Sequence, residues 1–129
     1  MRPKTRITTT QAIDAGQPNE GVELLYTRDC RSWPEALENL KKALQELDLP
    51  DEPRLVPIDT LDQARAYNFF ASPTIHANGV DIDPKARRVK RRGLGIERPY
   101  LTNGRAYAVP PVELIKAGLT ELLVDGITL

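Results

Sequence analysis

The single cysteine of the chain, Cys30, lies within V-E-L-L-Y-T-R-D-C-R-S-W-P-E, residues 22–35. A thiol of ordinary pKa, about 8.5, is only slightly ionised at neutral pH, and a helix N-terminus or nearby cations raise its thiolate fraction. Both influences are written around Cys30. Arg28 and Arg31 flank it, with Asp29 opposing them. Ser32 and Glu35 follow the capping-box pattern, in which a hydroxyl and a carboxylate satisfy free backbone N–H groups of a helix start. The expectation is a thiolate at the mouth of a helix, able to attack a disulfide or another soft electrophile. The competing reading is a small vestigial residue at a turn. Trp33 also has two readings. Its indole covers the thiol and shapes an apolar entrance, or it staples the helix start to the core, the more common use of an aromatic there.

Other chemistry-bearing residues are sparse. His76 is the only histidine, and no Cys or carboxylate cluster stands at ligand spacing from it, so no metal site is expected. It reads as an ordinary half-buried or solvated residue. The run Lys85-Ala-Arg-Arg-Val-Lys-Arg-Arg92 holds six cations in eight positions. It reads as a solvated loop rather than a phosphate or acidic-partner site, because no aromatic residues are interleaved for stacking. Asp81, Asp83 and Glu97 form no recognisable acid–base pair. A Gly-rich phosphate loop, a Ser–His–Asp series and a multi-cysteine zinc pattern are all missing.

Composition narrows the class. The chain has 129 residues, enough for one domain with a modest core. Lys and Arg total 18, as do Asp and Glu, so no whole-protein field points to nucleic acid or a membrane surface. No apolar run approaches the roughly 18 residues that span a bilayer. One cysteine forms no internal disulfide, which fits a cytoplasmic location.

The elements that must position Cys30 follow from periodicity. Residues 1–21 lack apolar periodicity and read as a flexible leader. Residues 22–26 read as a buried strand, apolar on both sides. Leu37, Leu40, Leu44 and Leu47 recur at helical spacing, and Pro50 ends that helix. Residues 54–58 read as a second strand, with Pro57 placing it at a sheet edge. Thr60 and Gln63 form another capping box and open a short helix. Asn78-Gly79 between two strand-like runs is a hairpin signal. A further strand is expected over 97–101, a second hairpin at Asn103-Gly104, and a final helix after Pro110-Pro111. Val112, Ile115, Leu119, Leu122 and Leu123 give that helix its apolar face, and Gly126 stops it. The domain therefore spans 22–125, with a tail at 126–129. The order strand, helix, strand, helix, hairpin, helix implies an α/β protein with one mixed central sheet and helices packed on both faces.

This arrangement resembles the thioredoxin fold, a three-layer α/β architecture. The likeness rests on the strand 22–26, the turn Asp29-Cys30-Arg31-Ser32-Trp33, the triplet Ser72-Pro73-Thr74, the Asn78-Gly79 hairpin and the C-terminal helix. More narrowly, the Ser72-Pro73-Thr74, Asn78-Gly79 and Asp81-Ile-Asp-Pro84 series is similar to that of small bacterial thioredoxin-like proteins related to the thioredoxin-like part of alkylmercury lyase. The resemblance implies a cis-proline at Pro73 beside Cys30. It also implies a substrate site at Trp33, Ser72, Pro73 and Thr74, where the Ser72 backbone pairs with an extended peptide or a glutathione-like ligand. Trp33 stands where the fold's second cysteine would be. A two-thiol cycle within the chain is therefore impossible, and organomercurial cleavage, which needs more than one thiolate, is disfavoured.

Two functions follow as expectations. One is a monothiol site. Cys30 takes up a disulfide, a mercurial or another soft electrophile, and an external thiol, glutathione or a protein thiol, releases it. The other is a non-catalytic thioredoxin-like module that holds a protein or peptide partner. No cofactor is expected for either.

Overall fold

The structure, a computed structural model, describes residues 20–125. The expected leader and tail, and the helix stop at Gly126, lie outside the described residues except for Glu20 and Gly21. Gly21 belongs to the fold rather than to a leader. Its N–H donates to Asn78 Oδ1 at 2.9 Å, and its carbonyl accepts from the Asn78 N–H at 2.8 Å.

Four strands form a mixed sheet in the order β2-β1-β3-β4. They are β1 (Val22–Tyr26), β2 (Arg54–Pro57), β3 (Thr74–Ala77) and β4 (Val80–Asp81). β1 and β2 are parallel and joined through helix α1 (Trp33–Glu46), as a parallel pair requires a crossover. β2 is an edge strand, the place its Pro57 tolerates. Helix α2 (Leu61–Ala66) leads to β3, which runs antiparallel to both β1 and β4. Asn78 and Gly79 turn β3 into β4 with φ of 52° and 81°, the two positive angles of a tight type I′ turn. Asn103 and Gly104 do the same for a separate two-stranded sheet, β5 (Tyr100–Thr102) and β6 (Arg105–Tyr107). Helix α3 (Val112–Leu119) follows and continues as a π-helical segment, Thr120–Asp125.

Leu24 and Leu25 are neighbours on β1 and so face opposite sides of the sheet. Leu24 joins Ile75, Ala77 and Ile82 in a cluster with Ala36, Leu40, Ala43 and Leu44 of α1 and Ile115 and Leu119 of α3. Leu25 joins Val56, Ile58, Phe69 and Ala64 of α2. Each large aliphatic side chain fully buried in these clusters contributes roughly 1.5–3 kcal/mol. The predicted leucine stripe of α1 holds at Leu40 and Leu44, which are buried, and is widened by two alanines. Ala36 and Ala43 are buried and let the helix sit close, while Leu37 and Leu47 pack at the margin. Gly118 plays the same part on α3, where an added Cβ would fall 2.4 Å from the Ile82 carbonyl oxygen.

The end of α1 differs from the expected cause. α1 stops before Pro50 acts, because Asp48 turns left-handed at φ 57°. The Leu49 N–H then donates to Leu44 O at 2.9 Å and the Asp48 N–H to Gln45 O at 3.1 Å, a Schellman closure. Asn68, φ 55°, closes α2 in the same way, with the Phe69 N–H on Ala64 O at 2.8 Å. Asp and Asn replace the usual glycine because their short polar side chains tolerate that region.

Candidate functional site

The antiparallel register of β1 and β3 pairs Leu25 with Thr74. The end of β1 and the start of β3 therefore lie at one end of the sheet. Cys30 follows β1 by four residues, and Pro73 immediately precedes β3. The Ser72–Pro73 peptide bond is cis.

The turn after β1 departs from its expected electrostatics. Cys30 is buried, 4% exposed, with its N–H on the Thr27 carbonyl at 3.1 Å. The Ser32–Glu35 capping box does not form. Ser32 is already helical, φ −92° and ψ −11°, and its hydroxyl caps nothing. A capping side chain needs an extended backbone to reach the first-turn N–H groups, and Pro34 has removed one of those groups. Thr60, extended at φ −133° and ψ 159°, does form its box with Gln63. Arg28 points to Asp59, Nε to Oδ1 at 3.0 Å, so a carboxylate already balances its charge. Trp33 stacks on Tyr26 with centroids 4.3 Å apart and packs against the α1–α3 core. This is the staple geometry.

The Ser72 backbone is not open to a substrate, contrary to expectation. Its N–H donates to Gly95 O at 2.7 Å, and its carbonyl accepts from the Arg98 N–H at 3.0 Å. The Gly95 N–H donates in turn to Phe70 O, and Gly95 pairs with Ala71 as a parallel bridge. Segment 93–98 thus lies along 69–72 as a strand-like partner. Gly95 permits this approach, since a Cβ there would meet the Ala71 Cβ at 2.8 Å. The Pro73 carbonyl accepts from the Tyr100 hydroxyl. Thr74 is buried, and its hydroxyl donates to Ala71 O at 2.6 Å while receiving Arg98 Nη1 at 2.9 Å. These contacts engage Gly95 and Arg98 with the 70–74 segment, and the strand expected over 97–101 is found as β5, Tyr100–Thr102.

A cavity of about 530 Å³ opens between the cysteine turn and this inserted segment. Asp29, Arg31 and Ser32 form one wall, residues 96–99 a second, and Ala106, Tyr107 and Ala108 a third. Cys30, Trp33 and Pro73 are not part of the lining. No group of three His, Cys, Asp or Glu side chains among the described residues is placed to hold a metal ion.

A second cluster was not foreseen. On the α2 face of the sheet the strand pairings align Arg54, Glu23, His76 and Asp81 in one row across four strands. Arg54 pairs with the fully buried Glu23. Asp81 takes a bidentate ion pair from Arg98, 2.8 and 3.1 Å, with both side chains buried. Arg98 also lies over the Tyr100 ring at 4.3 Å and the Phe70 ring at 4.9 Å. Burial lowers the Arg98 pKa, but Tyr100 and Asp81 outweigh it and leave that pKa raised. His76 is not half-buried or solvated as expected. It is 2% exposed, its Nδ1 has no hydrogen-bond partner, and burial lowers its pKa to about 4. Asp81 opposes that shift, and the Arg98 and Arg92 cations reinforce it.

Fold and site together define a mixed α/β protein with a four-stranded sheet, a cis-proline at the head of β3 and a cavity beside a buried thiol. No protein-family model matches the chain, nor does any curated protein or solved structure. No described helix is long and apolar enough to cross a membrane.

Proposed function

We propose that this chain is a thioredoxin-like binding module that holds a peptide or protein partner in the cavity between the cysteine turn and segment 96–99. The fold assignment is supported by the strand order β2-β1-β3-β4 and by α1 and α3 packing opposite α2. The observation that carries the functional reading is the state of the supposed reaction site. Cys30 is buried outside the cavity lining, and the Ser72 backbone is already paired within the chain. A buried thiol is poorly accessible to a substrate, and a backbone already paired offers no strand edge to one. Asp29, Arg31 and Glu97 line the cavity together with Ile96, Pro99, Ala106 and Ala108, a mixed charged and apolar contact surface.

The second reading keeps Cys30 reactive, and the β1–β3 register favours it by bringing the cysteine turn and the cis bond to one end of the sheet. The thiolate would attack a disulfide sulfur, expel the other sulfur as a thiolate and form a mixed disulfide. An external thiol would then attack that bond and restore Cys30. Alkylation rates across pH, with Cys30→Ser as the blank, separate the two. Alkylation much slower than that of a free thiol at every pH is expected for the binding module. Alkylation at neutral pH as fast as that of a free thiol or faster overturns it in favour of monothiol chemistry.

A further inference from the structure

We propose that the cavity beneath the basic segment 85–92 binds a small oxyanion, phosphate or the head of a phosphomonoester, through Arg92 and His76. The cavity, about 260 Å³, lies on the polar side of the β3–β4 hairpin. His76, Gly79, Val80 and Asp81 line it from the hairpin, Asn68 and Phe70 from the exit of α2, and Arg87 and Arg92 from the basic segment. This volume is below the 300–1,000 Å³ of pockets that take drug-sized ligands, so a compact ion is the fitting guest.

The charge balance selects the sign. The Asp81 carboxylate is taken by Arg98 and by the Asp83 N–H at 2.9 Å. The Arg87 guanidinium is spent on both carboxylate oxygens of Glu121, each at 2.9 Å, and on the Asp81 carbonyl. Arg92 alone among the lining charges meets only neutral acceptors, Val89 O, Arg91 O and Asn68 Oδ1. Those bonds use Nη1 and Nη2, and Nε makes none among the described residues. An arginine fork with donors to spare suits a phosphate oxygen. The second observation is His76, 2% exposed in the same wall with an unpartnered Nδ1. A buried polar nitrogen without a partner is a costly arrangement, and a ligand oxygen removes that cost once a turn of the neutral ring brings an Nδ1–H from its solvent-shielded position to the cavity. Arg88, Lys90 and Arg91 stand exposed at the rim, where they raise the local concentration of anions.

The test is a titration of the full chain with inorganic phosphate, followed by amide and imidazole NMR shifts at constant ionic strength with chloride as the replaced anion. Saturable shifts are expected at His76, Gly79, Val80 and Arg92. Arg92→Gln should weaken binding at least tenfold and His76→Gln several-fold, whereas Arg88→Gln at the rim should change it less than twofold. Should Arg92→Gln fail to fold, His76→Gln carries the comparison. A parallel titration with glycerol phosphate tells a free ion from a monoester head by which binds more tightly. Shifts that never saturate, or an Arg88→Gln loss equal to that of Arg92→Gln, overturn the site and leave only diffuse attraction to a basic surface.

Discussion

Acidification from pH 7 to pH 4 is expected to destabilise the protein by about 3 kcal/mol through His76 alone. The imidazole titrates near 6.5 when unfolded and near 4 when folded. Burial is the first cause. The Arg98 and Arg92 cations add to it, and Asp81 pulls the other way. Glu23, directly across β1, also faces the ring and already holds Arg54. Between pH 6.5 and 4 the unfolded chain binds a proton that the folded chain refuses, so stability rises with pH in that window. The contribution is complete above pH 6.5, shrinks as pH falls toward 4, and changes no further once both states are protonated. At about 1.4 kcal/mol per pKa unit, the whole gap between 6.5 and about 4 is worth about 3.5 kcal/mol, and about 3 kcal/mol of it is lost by pH 4, where the folded imidazole is itself half protonated. The chain holds one histidine and one tryptophan, which makes the assay direct. The single imidazole resonance reports the folded pKa. Urea unfolding followed by Trp33 fluorescence at pH 7, 6, 5 and 4 reports stability. His76→Gln should lose about 3 kcal/mol less than the native chain over that range, the carboxylate contributions being common to both. An imidazole that titrates near 6.5, or two parallel stability profiles, refutes the reasoning.

Two other expectations concern the same frame. Arg98→Met should cost about 3–5 kcal/mol in urea unfolding, because it strands the Asp81 carboxylate away from water, and a loss below about 1 kcal/mol would show the pair to be dispensable. Thr60→Ala should cost about 1 kcal/mol by thermal melting while Ser32→Ala costs a few tenths at most, since only Thr60 caps its helix. Equal losses would mean that Ser32 caps after all.

How much of this was legible in the sequence depends on the range over which each feature is decided. Elements decided locally were readable. The strand 22–26, the Thr60–Gln63 box, the edge position of Pro57 and both Asn-Gly turns follow from residues within a few positions of one another. The Ser32 box failed although its letters match, because the motif presumes an extended residue at the cap and the turn from Thr27 delivers a helical one. The same local view read Glu23 as part of an apolar strand, since the residue that neutralises it arrives 31 positions later on β2.

The polar row shows where reading stops and how one step more was within reach. A two-residue Asn-Gly loop fixes its hairpin register, so Ala77 must face Val80 and His76 must face Asp81. The sequence therefore already placed the only histidine opposite a carboxylate. Alternation along β3 puts His76 and Thr74 on one face, opposite that of Ile75. What no local rule supplies is the closure. Segment 93–98 folds back along 69–72, Gly95 allows the close approach, and only then does Arg98 reach Asp81 and Thr74. That one excursion occupies the Ser72 backbone, walls the cavity beside Cys30 and adds a positive charge to the burial that keeps His76 neutral. The two candidate sites are consequently coupled through Arg98. A substitution that detaches segment 93–98 should free the Ser72 edge and, in the same event, raise the titration point of His76 by removing a nearby cation.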